Sequence, residues 1–362
     1  MRKPLLTAAL LAATAWAVPA HAQQIDLSDK IRLNGYSNFE FEYMPSKQGR
    51  GDANASFDAQ EFDLVFNVLP TDRLRVNADL RWEHGVATED SRGNAALSHG
   101  FAEYTLVDAL RLRAGKMLLP FGIYNEIHTA KPAIFMYKEP FAIYKADKLG
   151  GVRRFQPRSG SGLEALGTGS LAGIDGDYAL LMVNGETTGK KDPFEEDDNS
   201  AKSLTGRVRL HPTSWIMIGT SYYHDQLTEF DALGKDTGLR TRQSSYVQSL
   251  ELAPGPFLIQ GEWARGNVTP ATKAGVDMTG WYGVASVLLR DRYRPYVEYQ
   301  HFDPNTHVDN DFATIVSPGI NVRVDGGLYL KFQADRYHSL PGHPRLKGVD
   351  FTELTAAVAV AF

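Results

Sequence analysis

The chain has 362 residues, of which 43% are hydrophobic and 22% are charged, and its formal net charge is −5 at pH 7. This mildly acidic balance argues against nucleic acid as a general partner. The absence of cysteine excludes a disulfide framework. No later segment has enough consecutive apolar residues for a transmembrane helix, so the chain can span a membrane only as a closed sheet.

The first residues have the pattern of a secretory signal peptide. A basic start at Arg2 and Lys3 is followed by a short apolar run and by Ala-His-Ala at residues 20–22. The apolar run is too short to cross a bilayer. We therefore expect residues 1–22 to be removed, which leaves residues 23–362. Loss of two basic and no acidic residues changes the charge from −5 to −7.

Strand-like alternation begins near residue 29 and recurs along the chain. In residues 73–84, for example, Leu74, Val76 and Leu80 alternate with charged or amide side chains. A period of two gives a strand one apolar and one hydrated face. The pattern predicts sixteen strands, at residues 29–43, 57–69, 73–84, 98–107, 110–119, 161–169, 176–184, 202–211, 214–224, 243–253, 256–266, 277–289, 292–302, 314–325, 327–337 and 350–362.

Two features favour a membrane barrel over a soluble β-sandwich, which also alternates. The segments are about ten or more residues long, as a tilted strand needs to cross a bilayer. Short turns, such as residues 69–72 and 290–291, alternate with long polar loops, such as residues 186–200. The predicted fold class is all-β: a transmembrane antiparallel β-barrel with sixteen strands, with fourteen and eighteen as alternatives.

Residues 120–160 break the alternation and are rich in aromatic side chains, which should pack against a surface. Seven cations and three anions give residues 120–158 a net charge of +4. Such a run is either a solvated face or an inward-folded constriction loop, in which a narrow passage would favour anions. The charged residues are Lys131, Lys138, Lys145, Lys148, Arg153, Arg154 and Arg158, with Glu126, Glu139 and Asp147.

The strands beside this loop add further charges to the candidate site. The alternation assigns several arginines to the lumen, since an arginine that faces lipid is costly. Acids such as Glu61, Asp63 and Glu83 share the same face, so opposed walls of charge are expected unless the charges pair across strands. The basic residues are Arg73, Arg75, Arg81, Arg111 and Arg113, with Lys116 just before the loop and Arg207 and Arg209 farther along.

The last ten residues read as a strand, with larger apolar side chains at Leu354, Val358, Val360 and Phe362. This strand is expected to pair with the first and to close the barrel. A final strand that ends on an aromatic residue resembles the carboxy-terminal signature of Gram-negative outer-membrane proteins.

Together these features resemble the sixteen-stranded Gram-negative porins, in which an inward loop follows the fifth strand. The segment from Leu112 to Gly122 also resembles a patch in the phosphate-selective porin O/P-like family, through Gly115, Lys116, Pro120, Phe121 and Gly122. The porin resemblance implies a place in the bacterial outer membrane, among lipid and lipopolysaccharide. It also implies a homotrimer.

The sequence therefore predicts a water-filled channel for passive diffusion of small hydrophilic solutes that favours anions, phosphate-like ones included. One alternative is a channel selective for neutral or aromatic solutes, with the aromatic side chains of the loop as a sliding surface. A third hypothesis is that the protein is a barrel enzyme. No nucleophile elbow or metal-ligand spacing supports it, and no cofactor is expected.

Overall fold

The computed structural model describes residues 25–44, 54–84, 93–127, 130–186 and 194–362. The predicted signal peptide, residues 1–22, lies outside these ranges. Within them, sixteen long antiparallel strands follow one another around a closed barrel, as predicted, and β17 pairs with β2 to complete it. The strands are β1 Ile25–Ser28, β2 Ile31–Met44, β3 Asn54–Val68, β4 Leu74–Glu83, β5 Asn94–Val107, β6 Leu110–Leu118, β7 Ser159–Leu171, β8 Ile174–Asn184, β9 Lys202–Thr213, β10 Ile216–Phe230, β11 Asp236–Leu252, β12 Phe257–Thr269, β13 Val276–Val287, β14 Tyr293–Asp303, β15 Ala313–Asp325, β16 Leu328–Ser339 and β17 Phe351–Ala361. The short β1 forms a hairpin with β2.

The barrel closes through the final residues, as predicted. The register sets Leu354 opposite Tyr43 and Ala361 opposite Tyr36. Phe362 extends this pairing, because it exchanges backbone hydrogen bonds of 2.7 and 2.9 Å with Gly35. A Cβ atom at residue 35 would lie 2.4 Å from the Phe362 ring. A glycine therefore allows the ring to lie against the first strand.

The period-two pattern gives the barrel an apolar outer surface. On β8, Leu180 and Met182 are exposed, whereas Ala179, Leu181 and Val183 between them are buried on the inner side. Exposed apolar side chains recur on the outer face of strands around the barrel. So large an apolar surface would be unfavourable in water but matches the hydrocarbon layer of a bilayer.

Strand ends differ from the predicted ones mainly on the side of the long loops. β10 and β11 continue beyond the predicted strands at residues 214–224 and 243–253, and Thr228 pairs with Arg240. Beyond the membrane both faces of a hairpin meet water, so the apolar alternation that marks a spanning strand is lost. On the opposite side, Arg290 and Asp291 both have positive φ angles, which is typical of a tight type I′ turn.

The segment between β6 and β7, residues 119–158, lies inside the barrel and is called the lumen loop here. It contains 3-10 turns at Lys131–Ala133 and Ala146–Leu149 and one helical turn, α1, at Phe141–Tyr144. Its buried apolar side chains form a core with inward side chains of the strands from β8 to β17. None of the helices in the described part of the chain is long and apolar enough to cross a membrane.

Candidate functional site

The lumen loop packs its apolar side against one wall of the barrel. Phe155 meets Phe302 of β14 edge to face, with ring centroids 6.2 Å apart. The backbone nitrogen of Ala142 donates a hydrogen bond of 3.0 Å to Gln300. The approach is close enough that a Cβ atom on Gly280 of β13 would lie 2.2 Å from the Ala142 carbonyl oxygen. The loop therefore occupies one side of the lumen in direct contact with the wall.

A buried carboxylate, Glu262 of β12, holds the start of the loop. It accepts hydrogen bonds from the hydroxyl groups of Tyr144 (2.5 Å) and Tyr282 (3.0 Å), from Ser249 (2.6 Å) and from the backbone nitrogen of Ile123 (2.9 Å). Burial, together with the charge of Glu262, raises the pKa of Tyr144 well above its usual value. The Tyr144 hydroxyl therefore stays protonated and acts as a donor.

A buried lysine, Lys331 of β16, holds the middle of the loop. Its side chain is fully buried. The ammonium group donates to the carbonyl oxygen atoms of Lys131 (2.5 Å), Ile134 and Met136 (3.0 Å). An ammonium group has three donors, and all three are used. Glu262 and Lys331 thus attach the loop to the wall at two separate strands.

The charged side of the loop is organised around Glu139, which is buried. Its carboxylate lies 3.4 Å from the ammonium group of Lys131, 3.2 Å from that of Lys145 and 3.0 Å from the guanidinium of Arg158. Burial lowers the pKa of Lys145 to about 8, although Glu139 opposes this effect. One carboxylate therefore neutralises only part of the charge of three predicted site residues.

Arg81 of β4 is buried on the inner side of the barrel, near the charged side of the loop. Its guanidinium lies 2.8 Å from Asp63, 3.2 Å from Glu83 and 3.8 Å from Glu61. The charges of Arg81 and Glu83 act on Arg158 of the loop. Acids and bases thus face one another, and they also pair along the wall.

A second carboxylate hub, Glu103 of β5, lies farther toward the short turns. Arg75 (3.3 Å), Arg111 (3.8 Å) and Arg113 (2.5 Å) surround it, and Arg113 also lies 3.0 Å from Glu164. These three predicted site residues therefore share the inner wall. Much of their positive charge is compensated by these cross-strand ion pairs, which the sequence analysis had left open as an alternative.

Four more predicted residues lie on the loop. Arg153 and Arg154 pair with Glu186 (2.5 Å) and Asp147 (2.8 Å). Glu126 forms an ion pair with Arg207 of β9, and the opposed cations lower the pKa of Glu126 despite its burial. The fourth residue, Lys138, has its ammonium group 4.6 Å from the centre of the Phe141 ring, a favourable cation–π distance.

The structure does not bring the remaining three residues into this cluster. Arg73 is exposed in the turn before β4, and Lys148 is exposed on the loop surface. Lys116 shares the strand face of Leu112, on the outside of the barrel, and its ammonium group lies 4.0 Å from the centre of the Phe194 ring. The parity of β6 sets this orientation, because Arg111 and Arg113 take the inward positions.

A chamber of about 970 Å³ lies beneath the lumen loop, toward the short turns, and is called the lower chamber here. Ile123, Ile127, Pro132 and Phe135 of the loop contribute apolar side chains to it. Sequence reasoning missed several polar residues of its wall, although their positions on the polar face of a strand were a usable signal. The basic residues that line the chamber are Arg111, Arg113, Arg207, Arg209, Arg292, Arg294 and Arg323.

Solved structures with the same architecture are outer-membrane porins and channels. An anion-selective porin from Comamonas acidovorans has a TM-score of 0.64 and 12% identity, over 92% of this chain and 99% of that one. OmpF of Salmonella typhi, solved with daunomycin, has a TM-score of 0.65 and 11% identity, over 94% and 100%. DcaP of Acinetobacter baumannii, an outer-membrane channel, has a TM-score of 0.62 and 10% identity, over 92% and 97%. The chain therefore shares the barrel fold of these outer-membrane proteins.

Sequence comparison is less informative. No family model matches the chain, so the resemblance of residues 112–122 to the phosphate-selective porin O/P-like family stays a prediction. One uncharacterised protein of Aquifex aeolicus is 25% identical over 111 residues, which is 30% of this chain. The matched part spans about a quarter (24%) of that protein.

Proposed function

We propose that the protein is a porin of the bacterial outer membrane, a water-filled channel for the passive diffusion of small hydrophilic solutes that favours anions. The observation that carries this proposal is the closed barrel with the lumen loop attached inside it. In this proposal the loop, attached at Glu262 and Lys331, narrows the lumen, and solutes pass beside it into the lower chamber. The porin fold of the solved neighbours supports a channel rather than an enzyme.

The proposed anion preference rests on the charges of this narrowed region. Lys131, Lys145 and Arg158 share the carboxylate of Glu139, so this part of the loop presents three cations around one acid. In a narrow, partly dehydrated passage a fixed charge acts more strongly on an ion than it does in bulk water. One of the structural neighbours is described as anion-selective, which agrees with this proposal.

The phosphate-like solutes and the trimer remain parts of the proposal. Arginine groups suit the oxygen atoms of phosphate, and the lower chamber is lined by several of them. One of the structural neighbours, OmpT of Vibrio cholerae, is described in a trimer form. A second candidate function, a channel for neutral or aromatic solutes, is favoured by the apolar surface that Ile127 and Phe135 give the same chamber.

The deciding experiment is single-channel recording of the refolded mature chain in a planar bilayer under a salt gradient. We expect discrete conductance steps and a reversal potential whose sign shows that anions permeate more readily than cations. The variant Lys145→Glu with Arg158→Glu reverses two of the charges around Glu139 and should move the reversal potential toward cations. A matched variant, Lys235→Glu with Lys273→Glu, makes the same charge change on exposed hairpin residues and should shift it much less. Absence of conductance would reject the channel, and equal shifts in both variants would reject the loop as its selectivity element.

A further inference from the structure

The two sides of the lower chamber differ in how their arginines are neutralised. On β9, Arg207 and Arg209 pair with carboxylates, Arg207 with Glu126 and Arg209 with Asp177 at 3.0 Å. On β14 and β15, no carboxylate of the described residues lies within 4 Å of the guanidinium groups of Arg294 and Arg323. Nearby Glu251 instead accepts a hydrogen bond of 2.6 Å from Gln260. On this side of the chamber the two guanidinium groups are thus held in no ion pair with a described residue, although Glu251 and Asp291 also line the chamber.

Four polar side chains form a continuous patch on that side, which we call the β14–β16 patch: Arg294, Asn321, Arg323 and Tyr329. The strand register sets Arg294 opposite Asn321 and Arg323 opposite Tyr329. Directly opposed residues have Cβ atoms about 5 Å apart, and diagonal neighbours about 7–8 Å. Since all four side chains line the chamber, the patch can offer several hydrogen-bond donors to one small anionic group.

The patch contains buried groups whose hydrogen-bonding capacity is not used. Arg294 is only 8% exposed, and among the described residues its guanidinium hydrogen-bonds to Ser286 alone, at a long 3.4 Å. Tyr329 is 5% exposed, and its hydroxyl has no partner among the described residues. Buried polar groups without partners cost free energy, and those that persist in a structure call for an explanation. The oxygen atoms of a ligand would supply hydrogen-bond acceptors to these groups.

Apolar and aromatic side chains of the lumen loop lie beside the patch. The guanidinium of Arg294 is 5.5 Å from the centre of the Phe135 ring, and Phe135 meets Tyr296 edge to face at 5.7 Å. Ile127 and Pro132 extend this surface over the chamber. The chamber therefore places an apolar surface next to two arginines that are held in no ion pair with a described residue.

From this juxtaposition we propose that the lower chamber is a binding site for organic monoanions with an apolar body, such as aromatic carboxylates. The carboxylate is held by Arg294 and Arg323, with Asn321 and the hydroxyl of Tyr329 as further donors. The apolar body packs beneath Phe135. Arginine suits this task because its planar donors match the two oxygen atoms of a carboxylate. The inference rests on the proposed channel and gives it a substrate class that combines the anionic and the aromatic alternatives.

The test uses benzoate as probe and measures its saturable block of the single-channel current. Acetate and inorganic phosphate lack the apolar body, and benzamide lacks the charge, so all three should block at concentrations at least about tenfold higher. Arg294→Gln and Arg323→Gln should each raise the half-blocking concentration of benzoate at least about tenfold. Tyr329→Phe, which removes a hydroxyl without a partner in the fold, should raise it about threefold to tenfold.

Arg242→Gln is the matched control, since Arg242 is exposed on β11 outside the chamber. It should leave the benzoate block unchanged. Equal block by benzoate and phosphate, or by benzoate and benzamide, would overturn the proposed substrate class. Unchanged block in all three patch variants would overturn the site.

Calorimetric titration of the folded protein in detergent with benzoate separates this inference from the channel proposal. Binding that the patch variants weaken, in a protein that does not conduct, would support the site and reject the channel. Anion-selective conductance without benzoate binding would reject the site alone.

Discussion

Tyr144 of the lumen loop and Glu262 of β12 are joined by a hydrogen bond of 2.5 Å across the barrel interior. The same tyrosine oxygen accepts hydrogen bonds from the backbone nitrogen atoms of Ile123 (2.8 Å) and Tyr124 (2.9 Å). One hydroxyl group thus connects two parts of the loop to the wall. The position of the loop therefore depends on a few hydrogen bonds, and a single substitution can remove each of them.

Replacement of Tyr144 by phenylalanine tests this connection. The change removes the hydroxyl and leaves the buried groups around it without their partner, so the free energy of unfolding should fall by about 1–3 kcal/mol. Urea unfolding of the refolded barrel measures the loss. Tyr222→Phe is the control, because Tyr222 is exposed on the outer face of β10. An equal loss in both variants would contradict the role of Tyr144.

The buried Lys331 allows a second test of the loop attachment. In Lys331→Met the carbonyl groups of Ile134 and Met136 lose their donor, and the gain from removing a buried ammonium group offsets this only in part. We expect a loss of about 2–4 kcal/mol in the free energy of unfolding and a larger, noisier single-channel current. Lys235→Met, at an exposed hairpin position, should change neither. A quiet current of unaltered size would show that the loop is held elsewhere.

The close approach of Gly280 to Ala142 predicts that one methyl group added to Gly280 will displace the lumen loop. In Gly280→Ala the new Cβ atom would lie 2.2 Å from a carbonyl oxygen of the loop backbone, so the loop must move. Overpacking of this kind costs about 1–3 kcal/mol, and the altered lumen should change the conductance. Gly283→Ala on the same strand adds its methyl group where no atom lies within 4 Å. If both variants behave alike, the loop does not approach β13 as described.

The titration of Lys145 predicts that the ion selectivity of the channel changes with pH. Burial lowers its pKa to about 8, while Glu139 opposes the shift and Lys131, Lys138 and Arg158 add to it. The side chain is therefore largely charged at pH 7 and largely neutral at pH 9, so the anion preference should weaken between these values. Reversal potentials measured across this range provide the test.

Lys145→Arg provides the control for the pH effect, because arginine stays charged throughout this range. A selectivity that falls equally in the variant would assign the change to another group. The sign for stability is opposite to that for selectivity. Since the folded-state pKa lies below the ordinary value of 10.5, folding favours the neutral form, and the contribution of Lys145 to stability rises with pH above about 8.

Much of the barrel could be predicted from the sequence, because alternation is a local property. Leu74, Val76 and Leu80 lie on one face of β4 whatever the strand pairs with, so the number and order of strands could be read without knowing their partners. The same parity placed Arg75, Arg81, Arg111 and Arg113 inside correctly. Strand ends such as those of β10 and β11 could not be predicted, since hairpins beyond the bilayer lose the pattern.

The charge state of the site could not be read in this way. The sequence counts seven cations against three acids in residues 120–158, but a count does not show which charges meet. Glu103, which lies on the strand before β6, gathers Arg75, Arg111 and Arg113 because three neighbouring strands bring them together. Such pairing decides how much positive charge is left to act on a solute.

By itself, then, the sequence determined the barrel, its two-faced strands and the segment that breaks their pattern, because each depends on spacing along the chain. Only the tertiary structure decided where the lumen loop is attached, since Lys331 and Met136 are 195 residues apart. It also decided that Arg294 and Arg323 lack the acid partners found by the arginines of β9. Contacts between distant strands follow from barrel closure, and the energies of buried charges depend on those contacts rather than on composition.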